Sequence, residues 1–265
     1  MSTNNTKYME SNTNPKISII IITRNRAGFI AKAVESAQKQ TFTDWEMIIL
    51  DDDSNDGTWA VLETFLATDK RIRYQKNQTA IGISKNRNLG LEIAKGDYIA
   101  VLDSDDEWID ENKLQKQFDF LEKNLEYVLI GSNIRITDEK GNFIKNTEYE
   151  TEDEKIREKI LSKNQIPHSS VLYRKKSAEK VGGYNEKLSC VEDLDLFLKL
   201  GLEGKLKNLK EITTVYTKHS EGTSQKRKLA MAWNHLMIVV KKFGKYPKWF
   251  TAMVYAKLRL FKNLF

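Results

Sequence analysis

Ile17-Ser18-Ile19-Ile20-Ile21-Ile22 runs straight into Thr23-Arg24-Asn25-Arg26. A short, almost uninterrupted apolar run that stops on polar turn residues is the pattern of a central parallel strand, because helices cover both of its faces. Beyond the turn, Phe29, Ile30, Ala33, Val34 and Ala37 recur at helical spacing, and Asn25 is placed to cap that helix. The unit then repeats. Trp45 to Leu50 is a second apolar strand, Ser54-Asn55-Asp56-Gly57 supplies turn and cap chemistry, and Trp59, Leu62, Phe65 and Leu66 stripe the next helix. Ile72 to Gln75 reads as a third strand, Ser84 to Ala94 as a helix and Tyr98 to Leu102 as a fourth strand. Strands and helices alternating in this order predict an α/β fold with a mostly parallel, Rossmann-like, doubly wound sheet.

After Asp106 the pattern changes to a mixed region. It holds a helix from Glu111 to about Asn124, a hairpin around Asp138-Glu139-Lys140-Gly141, and a strand at Ser169 to Tyr173. A turn entering a helix at Cys190 to Leu200 and a last strand at Ile212 to Thr217 follow. From Leu229 two helical stretches are expected, broken near Gly244 and Pro247. The second carries Trp249, Phe250, Met253, Val254, Leu258, Leu260 and Phe261 among Lys248, Lys257, Arg259 and Lys262. Such a basic amphipathic helix suits an anionic membrane surface, or equally a face of the domain or of a dimer partner. No uninterrupted span of about 20 apolar residues occurs, so a membrane crossing is not expected.

Composition narrows the class. A chain of 265 residues holds one substantial domain plus appendages. With 40% hydrophobic and 30% charged residues it is neither a disordered nor a membrane-spanning composition. The 43 basic residues exceed the 37 acidic ones by six, and the surplus lies after Lys205. A single cysteine, Cys190, excludes an intramolecular disulfide and favours a reducing compartment. Met1 to Pro15 is polar and lacks the basic flank and apolar stretch of a secretory signal, which predicts a frayed tail on a cytoplasmic protein.

In an open parallel sheet, ligands bind beyond the carboxyl ends of the strands. Here the second strand runs into Asp51-Asp52-Asp53-Ser54 and the fourth into Asp103-Ser104-Asp105-Asp106. Clustered carboxylates repel unless a cation or strong donors neutralise them, and Mg²⁺ or Mn²⁺ selects oxygen ligands. Because Mg²⁺ combines one or two carboxylates with substrate phosphates, a nucleoside diphosphate is the matching ligand. The plainer readings are a helix-capping turn for the first cluster and a solvated loop for the second, although its position after an apolar strand favours the metal there.

The ordered motifs resemble the inverting family 2 glycosyltransferases, bacterial type, whose nucleotide-sugar domain has the GT-A fold. Pro15 to Arg26 looks like the opening strand and nucleoside-binding turn, with Arg24 where an aromatic is common. Gln40-Thr41-Phe42-Thr43-Asp44-Trp45-Glu46 and Ile49 to Thr58 match the next signature, with Asp53 in place of the usual glycine. Gly82 to Asn88, Ala94 to Ile99 and the DxD at Asp103-Ser104-Asp105 follow, and His168, Gly182-Gly183-Tyr184-Asn185-Glu186 and Glu192-Asp193 complete the order. The resemblance spans roughly Ile17 to His219.

It implies a metal-dependent transfer from a nucleoside-diphosphate sugar, UDP-linked by expectation, to a glycan or lipid-linked saccharide. Thr23, Arg24, Asn25, Asp52, Arg87, Asp103 and Ser104 would bind the donor, with Arg87 equally open to a structural ion pair. Asp105 would hold Mn²⁺ or Mg²⁺, Asp103 would assist, and His219 is a further candidate for metal or diphosphate, ahead of His168. Asp193 would be the catalytic base and Glu192 would orient the acceptor, the alternative being that both charges cap a helix start. The implied division is a tail at 1–15, a catalytic domain at 16–220 split near residue 106 into donor and acceptor halves, and the basic extension at 221–265. Peripheral attachment to the inner face of a membrane follows as an expectation.

Other classes compete. A dehydrogenase would need G-x-G-x-x-G after the first strand, where Thr23-Arg24-Asn25-Arg26 stands. A sugar-phosphate nucleotidyltransferase usually opens with a Gly-rich phosphate loop at the same place. Nucleic-acid binding is disfavoured because acids intersperse the lysines and the expected cleft is anionic. A non-catalytic relative that binds nucleotide sugars is the last alternative.

Overall fold

The computed structural model describes residues 14–188, 190–219, 227–242 and 244–264. Apart from Asn14 and Pro15, the tail expected at 1–15 lies outside them. The first half alternates as the sequence predicts: β1 (Ile17–Thr23), α1 (Ile30–Gln38), β2 (Trp45–Asp51), α2 (Thr58–Thr68), β3 (Ile72–Lys76), α3 (Ile83–Ile93) and β4 (Tyr98–Val101). β1 lies between β2 and β4 and pairs in parallel with both, while β3 extends the parallel sheet beyond β2. This central position is why β1 and β2 need apolar side chains on both faces. Ile17, Ile19 and Ile21 pack with Ile30, Ala33 and Val34 of α1, whereas Ile20 packs on the other side with Leu91 of α3. Gly90 allows that approach, since a Cβ there would lie 2.8 Å from Ile20 Cγ2.

Beyond β4 the sheet becomes mixed. β5 (Glu107–Trp108), α4 (Lys113–Lys123), β6 (Tyr127–Asp138), β7 (Phe143–Asn146) and α5 (Asp153–Ile160) come next. A 3₁₀ turn at His168–Ser170, β8 (Leu172–Arg174), α6 (Lys175–Lys180), α7 (Glu192–Leu200) and β9 (Lys205–Lys218) complete the domain. Among the described residues nine strands form the sheet, in the order β3-β2-β1-β4-β8-β6-β9-β5, with β7 a hairpin partner of β6. β8 is antiparallel to both β4 and β6, and β6 and β9 are parallel.

Three local expectations are corrected. Asn25 does not cap α1, which starts at Ile30 without a side-chain cap. With φ of 53° it instead ties two turns together, donating from its N–H to Ser54 Oγ and accepting from Asn55 N–H. The strand expected at Ser169 to Tyr173 begins only at Leu172, because His168–Ser170 is helical. The last strand starts at Lys205 rather than Ile212, its polar first half being held by backbone pairing to β6.

The C-terminal extension forms α8 (Lys228–Lys241) and α9 (Trp249–Lys262). One face docks on the domain: Ile238, Val239, Tyr246, Ala252 and Ala256 join the core. Tyr246 donates its hydroxyl to Leu198 O at 2.9 Å, and His235 Nε2 contacts Leu161 O at 2.7 Å. The opposite face of α9 exposes Phe250 (76%), Val254 and Leu258. Among the described residues no helix is long and apolar enough to cross a membrane.

Candidate active site

The first acidic cluster divides its labour. Asp51 closes the turn after β2, accepting from Ser54 N–H at 2.7 Å and from the Tyr74 hydroxyl at 2.8 Å. Asp52 reaches the other way and accepts from Ile81 N–H (2.7 Å), Gly82 N–H (3.1 Å) and Asn77 Nδ2 (3.2 Å). Burial works against its charge, but these donors, led by Ile81, more than offset it, so its pKa is lowered. Asp52 thereby pins the segment before α3 to the tip of β2. Beside it, the Thr23 hydroxyl at the tip of β1 is buried with no hydrogen-bond partner, and Arg24 and Asn25 are exposed.

The second cluster, at the tip of β4, has three carboxylates in three environments. Asp103 accepts from Arg87 Nη2 at 3.0 Å and lies 3.6 Å from His168 Nδ1. Burial raises its pKa, yet the Arg87 charge and His168 hold it well below the usual range. Ser104 is buried between the two acids. Asp105 presents Oδ2 at 2.8 Å from His219 Nε2 and 3.3 Å from Arg26 Nε. Asp106 is buried, accepts from Thr217 N–H at 2.9 Å and from the Ser169 hydroxyl, and is pushed well up by burial and by the charges of Asp103 and Asp105.

Asp105 and His219 fit a divalent cation. His219 Nε2 faces the carboxylate at 2.8 Å in a geometry that forms no hydrogen bond, so two atoms able to ligate a cation converge there. Cis ligands on an octahedral ion with bonds of about 2.1 Å stand about 3 Å apart, close to that separation. Among the described residues no cluster of three or more His, Cys, Asp or Glu is arranged to hold an ion alone. Two protein ligands leave most of the coordination shell to phosphate and water, as Mg²⁺ prefers. Asp103 is already committed to Arg87.

On the far side of Arg87 lies the start of α7. Glu192 pairs with Arg87 Nη1, and Asp193 accepts from Asn164 Nδ2 at 3.1 Å. Burial first, then the neighbouring Glu192 charge, raises the Asp193 pKa and makes it a stronger base than an ordinary carboxylate. Arg87 is 4% exposed and is held charged by Glu192 and Asp103 against its burial. It therefore joins the β4 loop to α7. Tyr216, on β9, has its phenol pKa raised by burial and by the charges of Asp106, Asp103, Asp105 and Asp193. Asp105 and Asp106 border one cleft with Thr217, and Asp103 leads from it through Arg87 to Glu192, next to Asp193. On the hairpin side of Asp105 a cavity of about 580 Å³, lined by Phe29, Arg135, Phe143 and Thr217 among others, lies within the size range of ligand sites.

Of the residues named from sequence, contacts link Asp103, Arg87 and Glu192 in one chain, with Asp193 next to Glu192, and Asp105 with His219 in another. Thr23 and Asp52 occupy the adjoining strand tips, joined by the Asp52 N–H to Thr23 O bond at 2.9 Å. Sequence reasoning gave no role to Arg26, Asp106, Asn164 or Tyr216. Arg26 and Asp106 sit inside the quoted motifs, whereas no motif marks Asn164 or Tyr216.

A half-parallel sheet that presents acids at neighbouring strand tips, with a mixed second half and helices on both faces, defines an α/β domain of GT-A type. The family model described as Glycosyl transferase family 2 matches residues 18–182, and the chain belongs to that family. It is 33% identical over 231 residues to chondroitin synthase of Escherichia coli, an alignment covering 85% of this chain and 32% of that protein. The chain thus spans about a third of that relative's length. The fold matches residues 1–349 of S. aureus TarS, solved with UDP, with a TM-score of 0.68 and 20% identity, covering 94% of this chain and 70% of that one. It also matches the mannosyltransferase PcManGT of Pyrobaculum calidifontis, solved with GDP-Man and Mn²⁺, with a TM-score of 0.70 and 16% identity over 94% of this chain and 70% of that one.

Proposed function

We propose that this domain transfers a sugar from a nucleoside-diphosphate donor, UDP-linked, to a hydroxyl of a glycan or lipid-linked saccharide, with inversion at the anomeric carbon. The observation that carries the reading is the pairing of Asp105 with His219 on one side of the cleft and a carboxylate of raised basicity, Asp193, on the other. Residues 16–106 form the donor half and 107–220 the acceptor half. The unpartnered Thr23 hydroxyl and the amide-held Asp52 meet the nucleoside. The exposed Arg24 and Asn25, the buried Ser104, and Asp103 line the donor's path, and Arg87 keeps Asp103 ionised.

Asp105 and His219 would hold Mn²⁺ or Mg²⁺, which would supply charge stabilisation to the departing diphosphate. Asp193 accepts the proton of the acceptor hydroxyl while that oxygen bonds to the anomeric carbon. The bond from that carbon to the diphosphate oxygen breaks, and its electron pair leaves with the nucleotide. Asn164 orients Asp193, and Glu192, fixed by Arg87, borders the acceptor. Base and leaving group on opposite sides of the carbon make one displacement inverting. The name of the chondroitin synthase relative supports a polysaccharide product, and the titles of the structural neighbours support UDP and Mn²⁺.

The C-terminal extension we assign to the surface of an anionic bilayer, the inner face of a membrane. Residues 222–265 hold ten of the 43 Lys and Arg and none of the 37 Asp and Glu, so the remaining 33 and 37 leave the rest of the chain at −4. The exposed apolar stripe of α9 lies in this basic segment.

A thermal-shift screen of nucleoside diphosphates and nucleotide sugars, with and without Mn²⁺, tests the activity reading. A donor at a hundred times its Kd adds about 2.7 kcal/mol of stability. That gain should need Mn²⁺ and should vanish in Asp105→Ala. Finding that no nucleotide stabilises the protein with any divalent cation would refute the transferase.

A further inference from the structure

Arg26 has no role in the proposed transfer, yet it touches the oxygen on which cation binding turns. Its Nε lies 3.3 Å from Asp105 Oδ2, the atom that His219 Nε2 approaches to 2.8 Å. The root of the side chain is fixed. Around it, Asn25 N–H donates to Ser54 Oγ (2.8 Å), Arg26 N–H to Thr58 Oγ1 (3.1 Å) and Ala27 N–H to Asp56 Oδ2 (2.9 Å). These three bonds clamp the β1–α1 turn to the turn after β2. The guanidinium beyond that anchor is about one-third exposed, and it spends one of its five donors on Asp105 and one on Asn25 O. A fixed backbone thus carries a head that can turn.

A guanidinium and a divalent cation on one carboxylate oxygen repel each other at a few ångströms, so the two compete for Asp105 Oδ2. A cation entering between Asp105 and His219 therefore weakens the hold of Asp105 on Arg26. A nucleoside diphosphate arriving with that cation brings phosphate oxygens to the place Arg26 vacates, and the planar guanidinium fork matches them. We propose that Arg26 is a displaceable counter-cation. It neutralises Asp105 in the free protein, yields when cation and donor arrive together, and moves onto the diphosphate, where its charge stabilises the leaving group. This rests on the reading of Asp105 and His219 as the cation ligands. Its consequence is coupled binding: the cation alone competes with Arg26, while the cation with diphosphate gives Arg26 a new partner.

The test titrates Mn²⁺ into the full chain and Arg26→Gln by calorimetry, without nucleotide and at saturating UDP, with urea midpoints as the folding control. Without nucleotide, Arg26→Gln should bind Mn²⁺ more tightly, by up to about five-fold, the worth of a partly exposed ion pair. With UDP present it should bind Mn²⁺ on the order of ten-fold more weakly, the loss of a charged hydrogen bond to phosphate. Arg26→Lys keeps the charge without the fork, so it should restore the competition and only part of the UDP binding. An arginine that merely braces the loop gives weaker Mn²⁺ binding in both titrations, and that result, or no change without nucleotide, overturns the proposal. A wild-type chain that binds neither Mn²⁺ nor UDP refutes the transferase reading itself and takes this inference with it.

Discussion

Replacing Arg87 with methionine removes the guanidinium between Glu192 and Asp103 while keeping much of its apolar volume. Breaking a buried ion pair from one side costs about 3–5 kcal/mol, because the remaining charge is left uncompensated in a poorly solvated place. Glu192 is buried and bears most of that cost, whereas the Asp103 side chain is 30% exposed and water screens part of its share. The lower end, about 3 kcal/mol, is therefore expected. For a domain of this size that lowers Tm by about 6–12 °C. Urea unfolding at pH 7 measures it, and two further results follow from the geometry. The deficit should shrink as pH falls below the ordinary Asp value of 3.8, because the wild type then loses the stability it draws from ionised Asp103, whose pKa Arg87 holds down against burial. Arg87→Met combined with Glu192→Gln should recover at least half of the loss, since the stranded charge is then gone. An unchanged urea midpoint in Arg87→Met, or a double variant no more stable than the single one, would refute the bridge between the β4 loop and α7.

Asp193→Asn should cut transfer by about 10²- to 10⁴-fold with donor binding intact; a variant of unchanged rate refutes the base assignment. Because burial and Glu192 raise the Asp193 pKa above 3.8, the acid limb of kcat/KM in the wild type should lie above the ordinary carboxylate value, with activity falling as pH drops through it. Lys113 is fully buried, donates to Gln117 Oε1 at 2.8 Å, and has a pKa well below 10.5 because of burial. The unfolded chain keeps that proton up to about 10.5 while the folded one has lost it, so stability should climb as pH rises toward 10.5. Lys113→Met should flatten that climb, which chemical denaturation across pH 7 to 10.5 would reveal. On the C-terminal extension, Phe250→Asp with Leu258→Asp should abolish co-sedimentation with phosphatidylglycerol vesicles while leaving Tm within a few degrees; equal pelleting of both proteins removes the bilayer assignment. Surface substitution is the right probe, since truncation at Gly244 would strip Ala252 and Ala256 from the core.

Much of the fold was legible because burial on two faces leaves a signature that solvent exposure would erase. β1 and β2 are apolar throughout their length for that reason, and their alternation with striped helices gave the parallel half directly. The acids at the tips of β2 and β4 were legible too, as carboxylate clusters straight after apolar strands, but which of them closes a turn and which faces the cleft was not. Less legible was anything fixed by pairing rather than by side-chain burial. The first half of β9, Lys205 to Lys210, is mostly polar and is a strand only because β6 lies alongside. The 3₁₀ turn at His168–Ser170 is likewise set by contacts, among them Ser169 with Asp106.

What the sequence determined by itself was the class of fold, the family and the identity of the candidate chemical groups, because these depend on local periodicity and on residue types at fixed spacing. What only the tertiary structure decided was how those groups divide the work. It made Asp51 a turn-closing residue and Asp52 a clamp, tied Asp103 to Arg87, left Asp105 to His219 and Arg26, and raised the pKa of Asp193 by burial. Identical carboxylates differ only in which donors, cations and depth of burial surround them, and many of those surroundings come from far along the chain, 16 positions for Asp103 with Arg87 and 114 for Asp105 with His219.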